Sequence, residues 1–248
     1  MATTTQGGTG TSDGKRRFQI GRKNGEKTGE PVFLEWLREL PAEEERAGRR
    51  FETRGDGKRH YETFSAVDGI LTGIRTEKRA ILDEERTFLY VTLDDGTDVF
   101  DIEIGDFDGR YSLNLMQRLC SPHFDPAKTT RLSPYALNAD NGKTYIGVSV
   151  YNGPDKIESR KADDTFNPAQ PVTSQFKGKT MYDFGPVAAW YMDFLQKNLI
   201  PRLPDNAWNV SGHTTQPAAT GRQPESSARP VAVPADDANF PGDDDLPF

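Results

Sequence analysis

From residue 60 to about residue 152, apolar and polar positions alternate with a period near two. "FLYVTL", "DVFDIEI" and "TYIGVSV" alternate cleanly. "HYETFSAVDGILTGIR" does so more loosely, with Gly69 and Gly73 at positions suited to a bulge or bend. "DDGT" between the first two runs predicts a hairpin turn. "RYSLNLMQRL" switches to helical spacing and predicts one short helix. "RLSPYAL" predicts a Pro-containing edge strand, and "NADNGKT" a loop with an Asn-Gly turn before the last strand.

Three strands, a short helix and two strands is the order of a five-stranded OB-fold barrel, a mainly β architecture. Flanking helices are expected on both sides. "EPVFLEWLREL" reads as a short amphipathic helix, with Pro31 at its first position and Phe33, Trp36, Leu37 and Leu40 at helical spacing. "DFGPVAAWYMDFLQKNLIPRL" reads as a second, started by Gly185-Pro186, which either docks on the barrel or forms a dimer contact. The Gly/Thr-rich residues 1–14 read as a disordered leader. Residues 15–202 then form the barrel domain with its N-terminal extension and C-terminal helix. Residues 203–242, rich in Pro, Ala, Ser, Thr and Gln, form a disordered linker, and 243–248 an acidic tip.

Alternation also assigns faces. Leu89, Val91 and Leu93 share one side of their strand, and Arg86, Phe88, Tyr90 and Thr92 the other. Ile146, Val148 and Val150 share one side of the last strand. Lys143, Tyr145, Gly147, Ser149 and Tyr151 share the other. The aliphatic sets point to the core, so each strand presents aromatics outward with a cation in phase. Single-stranded nucleic acid needs that combination: bases stack on aromatic faces, cations follow the backbone and small residues let it approach. The candidate DNA-binding residues are therefore Arg86, Phe88, Tyr90, Lys143, Tyr145, Ser149 and Tyr151.

Charge sharpens this picture. The formal net charge is −7, of which −5 falls on residues 203–248, so the body is near neutral and a nucleic-acid face has to be a local patch. Asp94, Asp95, Asp98, Asp101, Glu103, Asp106 and Asp108 gather around the predicted hairpin and the third strand. A restriction-type nuclease wants a Lys where Gly105 stands, and an EF-hand loop wants its Gly two places later than "DFDG" offers. A solvated acidic face is the expected reading, with no metal and no cofactor. Cys120 and His123 have a ligand-like spacing but no second pair, and no P-loop or nucleophile elbow occurs. With a single cysteine, no apolar leader and no long apolar run, a cytoplasmic protein without membrane contact is expected.

The chain ends in "DDDLPF". This resembles the C-terminal tip of bacterial single-stranded DNA-binding proteins, an acidic run closing on Ile-Pro-Phe, with Leu246 here in place of Ile. Some phage single-stranded DNA-binding proteins similarly carry an acidic tail ending in Phe. The order of barrel, linker and tip is also that of the bacterial family, although the remaining sequence does not visibly match it, which leaves the family's tetramer in doubt. The resemblance implies a divergent, phage-type member acting in a bacterial or phage-infected cell. Its tip would dock on replication and repair proteins, with Asp243, Asp244 and Asp245 supplying charge and Pro247 and Phe248 the anchor. The expected function is non-catalytic, sequence-independent binding of single-stranded DNA in replication, recombination and repair. An OB-fold adaptor for protein or RNA is the alternative, followed by a metal-dependent nuclease.

Overall fold

The computed structural model describes residues 15–204, apart from 26–28, 56, 58 and 139–142. The expected leader, the linker from residue 205 and the tip lie outside the described residues, as does the Asn141-Gly142 turn, while Leu203, expected to open the linker, is buried in the core. The elements are β1 (Arg16–Arg22), β2 (Pro31–Leu37), β3 (Phe51–Arg54), β4 (Arg59–Phe64), β5 (Val67–Ile81), β6 (Glu84–Asp94), β7 (Val99–Asp106) and α1 (Arg110–Leu119). They continue with β8 (Thr129–Asn138), β9 (Thr144–Asn152), β10 (Asp155–Ile157), β11 (Val172–Phe176), β12 (Lys179–Asp183) and α2 (Gly185–Asn198).

The chain is mainly β, as its alternation predicts. Ten strands, rather than five, form one sheet in the order β10-β9-β8-β5-β6-β7-β1-β2-β4-β3, and no strand pairing closes it. The meander β5–β6–β7, the helix α1 and the hairpin β8–β9 follow the expected order, and β8 returns to pair with β5. The bulge expected near Gly69 and Gly73 lies between Leu71 and Gly73, where the register against β6 shifts by one residue. That extra residue keeps Leu71, opposite Leu93, and Ile74, opposite Val91, both turned to the core. Without it, one half of the strand would show its apolar side to water. The "DDGT" turn also forms: Asp94 accepts the Gly96 N–H, and Asp95 accepts those of Thr97 and Asp98.

The sheet curls around one apolar cluster. Val148 and Val150 of β9 and Phe18 and Phe33 of β1 and β2 belong to it, together with Leu115 and Met116 of α1 and Tyr191 and Leu195 of α2. The C-terminal helix therefore docks on the body, as one of its two expected roles required. Phe166 clamps it from outside by packing against Trp190, Tyr191 and Phe194. Helix α1 touches both β7 and β9. It also takes over an edge donor, because Asn114 Oδ1 accepts the Val148 N–H at 2.8 Å. Nearby, the buried Arg118 donates to the Ile157 carbonyl at 2.6 Å. A side chain at Gly147 would leave no room for this, since a Cβ there would lie 2.5 Å from Asn114 Oδ1.

The N-terminal region corrects one expectation and adds a strand. "PVFLEWL" is β2, not a helix, and the basic "RRFQIGR" is β1. Strand β2 is buried at six of seven positions because it lies between β1 and β4 and is covered on both faces. Two-sided burial erases the period of two, and four apolar residues in a short run then mimic helical spacing. Glu35 and Glu62 sit directly opposite each other on β2 and β4, both nearly buried. Each is neutralised by a two-pronged arginine: Arg16 reaches Glu35 at 2.9 and 2.6 Å, and Arg49 grips both oxygens of Glu62.

Replacing Asn114 by Leu removes the acceptor for the buried Val148 N–H. The expected cost is about 1–3 kcal/mol, read as a lower unfolding midpoint in urea. An unchanged midpoint would show that this donor finds another acceptor.

Candidate nucleic-acid interface

The face of the sheet opposite the core carries a groove of about 490 Å³. Strand register explains how distant sequence meets there. Arg75 lies opposite Tyr90, Tyr90 opposite Glu103, and Thr92 opposite Asp101. The parallel pairing of β1 with β7 sets Arg17 beside Asp101 and Gln19 beside Glu103. Across β2 and β4, Gln19 faces Leu34 and Trp36 faces Tyr61. Six strands thus deliver one surface, because side chains two apart on each strand share a face.

The floor of the groove is a layer of arginine on aromatic rings. The Arg75 guanidinium lies 4.2 Å from the Tyr90 ring centre and donates to Asp101 at 2.8 Å. The Arg79 guanidinium lies 4.1 Å from the Phe88 ring centre and donates to Glu103 at 2.6 Å. The Tyr90 hydroxyl donates to the same Glu103 at 2.9 Å. Burial first, and then this bond, raise the Tyr90 phenol above its ordinary pKa, so it stays a neutral donor. Ring-face contacts of this kind contribute roughly 0.5–2 kcal/mol each. The upper part of the groove differs: Arg17, Gln19 and Arg59 are exposed, and the Trp36 side chain is 53% exposed. An open indole near exposed guanidinium groups can stack a planar base and neutralise a phosphate.

The residues expected to bind DNA are divided by the structure. Phe88 and Tyr90 turn away from the aliphatic core, as alternation requires, but each is only 7% exposed. The expectation that they present open rings is therefore corrected: Arg79 and Arg75 cover them. Arg86 is exposed at the start of β6, with Glu84 at 3.6 Å and Asp106 at 3.7 Å. Lys143, Tyr145, Ser149 and Tyr151 lie on or beside β9, with Tyr145 opposite Leu137, Ser149 opposite Ser133 and Tyr151 opposite Arg131. Arg131 in turn pairs with Asp68 at 2.7 and 2.9 Å. Asp68 and Arg75 are well separated along β5, which puts Tyr151 roughly 20 Å from Tyr90 along the strand direction, and Tyr145 lies further still. The two sets do not converge on one site. Gly147 serves packing against Asn114, not strand approach.

Trp36, Tyr61, Arg17, Arg59, Arg75 and Arg79 line the groove and were missed by sequence reasoning. The alternation of Arg75, Glu77 and Arg79 was a usable signal. Trp36 gave none once "VFLEWL" was read as a helix. The acidic set is dispersed in use: Asp94 and Asp95 shape a turn, while Asp101 and Glu103 hold arginines. Among the described residues no cluster of three or more His, Cys, Asp or Glu is placed to hold a metal ion. Cys120 is buried at the end of α1, and that burial raises its thiol pKa. No helix among the described residues is long and apolar enough to cross a membrane. Set against family models, curated proteins and solved structures, the chain matches none.

Arg75→Ala would strand Asp101, which is 4% exposed, and uncover Tyr90. The expected loss is about 3 kcal/mol, whereas Arg59→Ala on the exposed rim should stay within about 0.5 kcal/mol of the parent. Denaturant titrations of the two variants check this, and coincident midpoints would contradict the layered floor.

Proposed function

We propose that this chain is a non-catalytic, sequence-independent single-stranded DNA-binding protein of replication, recombination and repair. It coats exposed strands through the groove and recruits partner proteins through the tip Asp243–Phe248. The observation that carries the reading is Trp36, exposed on a sheet face whose groove also holds the exposed Arg17 and Arg59 above the covered aromatic floor. That is a stacking platform joined to cations, the pairing that single strands require and duplexes do not. The strand order of β5–β9 with α1 after β7 supports an OB-type unit as the scaffold. In this unit α1 lies against β7 and β9, where a closing strand pair would form, and β7 gives its free edge to β1.

The segment Asp243–Phe248 supports the recruiting half of the proposal. It joins three carboxylates to an apolar Leu246-Pro247-Phe248, and short acidic motifs with an apolar anchor are recognised by basic, apolar-lined pockets. Removal of Asp243–Phe248 should leave affinity for single strands equal or higher while binding of replication or repair partners is lost. A truncated protein with weaker DNA binding would refute that assignment.

The groove is tested by fluorescence titration with oligo-dT. Among the described residues Trp190 is packed among Phe166 and Phe194, so Trp36 is the indole placed to respond, and Trp208 is replaced by Phe in every protein titrated. The parent should be quenched, and its affinity should fall as salt rises. Trp36→Ala should lose most of the quenching and bind roughly 5- to 100-fold more weakly, as expected for one lost stacking contact. Tight binding to duplex without binding to single strands would overturn the proposal. A preference for RNA over DNA oligomers would move it to RNA.

A further inference from the structure

The antiparallel ribbon β11–β12 is a separate two-stranded sheet, not paired with the ten-stranded one. All ten of its strand residues are exposed. An isolated pair of strands is at best marginally stable in water, because it buries too little on either face. This ribbon nevertheless shows Val172, Phe176, Met181 and Tyr182 to solvent, with Phe176 62% exposed. Phe176 lies opposite Lys179 and Ser174 opposite Met181, so one face carries Phe176, Lys179, Met181 and Val172 together. Lys177 holds its ammonium 5.3 Å from the Phe176 ring centre.

The ribbon is built to project. Its tip is a tight turn in which Lys177 and Gly178 both have positive φ, 50° and 75°, the backbone that matches the twist of paired strands. Its base is fixed. The Asp183 carboxylate accepts the Gly185 N–H at 2.8 Å as α2 begins, and Tyr182 stacks near Phe184, which packs on the core. Five residues per strand give a reach of roughly 15 Å.

We infer that this ribbon is a second nucleic-acid contact, an arm that lays Phe176 and Lys179 against a single strand already bound by the protein. The inference rests on the proposed function and extends it to a surface outside the groove. Charge complementarity selects the occupant. The tip carries Lys177 and Lys179, and the one carboxylate in the ribbon, Asp183, is at the base and engaged with the backbone. These two local cations, with no carboxylate at the tip, suit a polyanion. The flat ring, the polarisable thioether and two cations are groups that bind stacked bases and phosphates in any sequence.

The test uses the full-length protein with Phe176→Ala, the double variant Lys177→Ala/Lys179→Ala, and a photo-crosslinking phenylalanine at position 176. Labelled oligo-dT is the probe. Phe176→Ala should weaken binding to long oligomers roughly tenfold, with less effect on oligomers too short to leave the groove. The double variant should flatten the slope of log affinity against log salt by about 1.4, the share of two phosphate contacts on a single strand. Irradiation should attach position 176 to the oligomer. Crosslinks to a second copy of the protein instead, or variants indistinguishable from the parent while Trp36-dependent quenching persists, would overturn the arm and leave the groove standing. Absence of single-strand binding by the parent would overturn both.

Discussion

The parallel pairing of β1 with β7 is the joint on which the rest depends. Four residues, Arg16 to Gln19, add to the edge of the meander at Phe100 to Glu103. Through them β2, β4 and β3 become part of the same sheet. Arg16 marks the seam. It forks onto Glu35 of β2, reaches Asp98 in the β6–β7 turn at 3.4 Å, and lies over the rings of Phe18, Phe64 and Phe100. The bond to Glu35 holds its guanidinium pKa above the ordinary value, so the arginine keeps its charge. A meander without that addition would keep Tyr90 and Arg75 but lack Trp36, Arg17 and Tyr61. The groove is a product of the splice.

The same arginines that could meet phosphate are engaged in holding the sheet together. Arg75 and Arg79 satisfy Asp101 and Glu103, and their planar groups shield Tyr90 and Phe88 from water. Removing a charge from such a layer leaves its buried partner unmatched, which is costly. Binding contacts are cheaper to place where no fold contact is at stake. The exposed Trp36 and Arg59 stand above a rigid floor. A rigid floor matters because a stacking platform gives affinity only when little ordering remains to be done on binding.

Period-two alternation made the central β strands legible, and helical spacing made α1 and α2 legible, because each of these elements buries one side and leaves a pattern. The inward set of Leu89, Val91 and Leu93 followed directly. Where burial was two-sided, as in β2, or absent, as in the ribbon β11–β12, no pattern was written into the residues. The β2 strand was then read as a helix and the ribbon was not read at all. The site was half legible for a related reason. Alternation places Phe88 and Tyr90 on the outer side of β6, but which groups cover an outer ring depends on the neighbouring strand. Arg75 and Arg79 come from the preceding strand, fifteen residues before Tyr90 and nine before Phe88, and their register is set by a bulge between Leu71 and Gly73. Trp36 comes through a parallel pairing that no local motif announces.

Net charge is a poor guide to this molecule, and geometry explains why. At physiological salt, exposed charges more than about 8 Å apart are largely screened from each other. The net charge of −7 therefore says little about a groove whose own lining has four arginines and three carboxylates. Two of those carboxylates, Asp101 and Glu103, are already turned to Arg75 and Arg79. Arg17 and Arg59 are exposed beside them, as is the third carboxylate, Glu77. Aromatic stacking adds an attraction that salt does not screen, so a near-neutral body can hold a polyanion if its few cations stand beside its open rings. The groove at Trp36 and the ribbon at Phe176 are the two places among the described residues where an exposed aromatic ring and lysine or arginine meet on a sheet face.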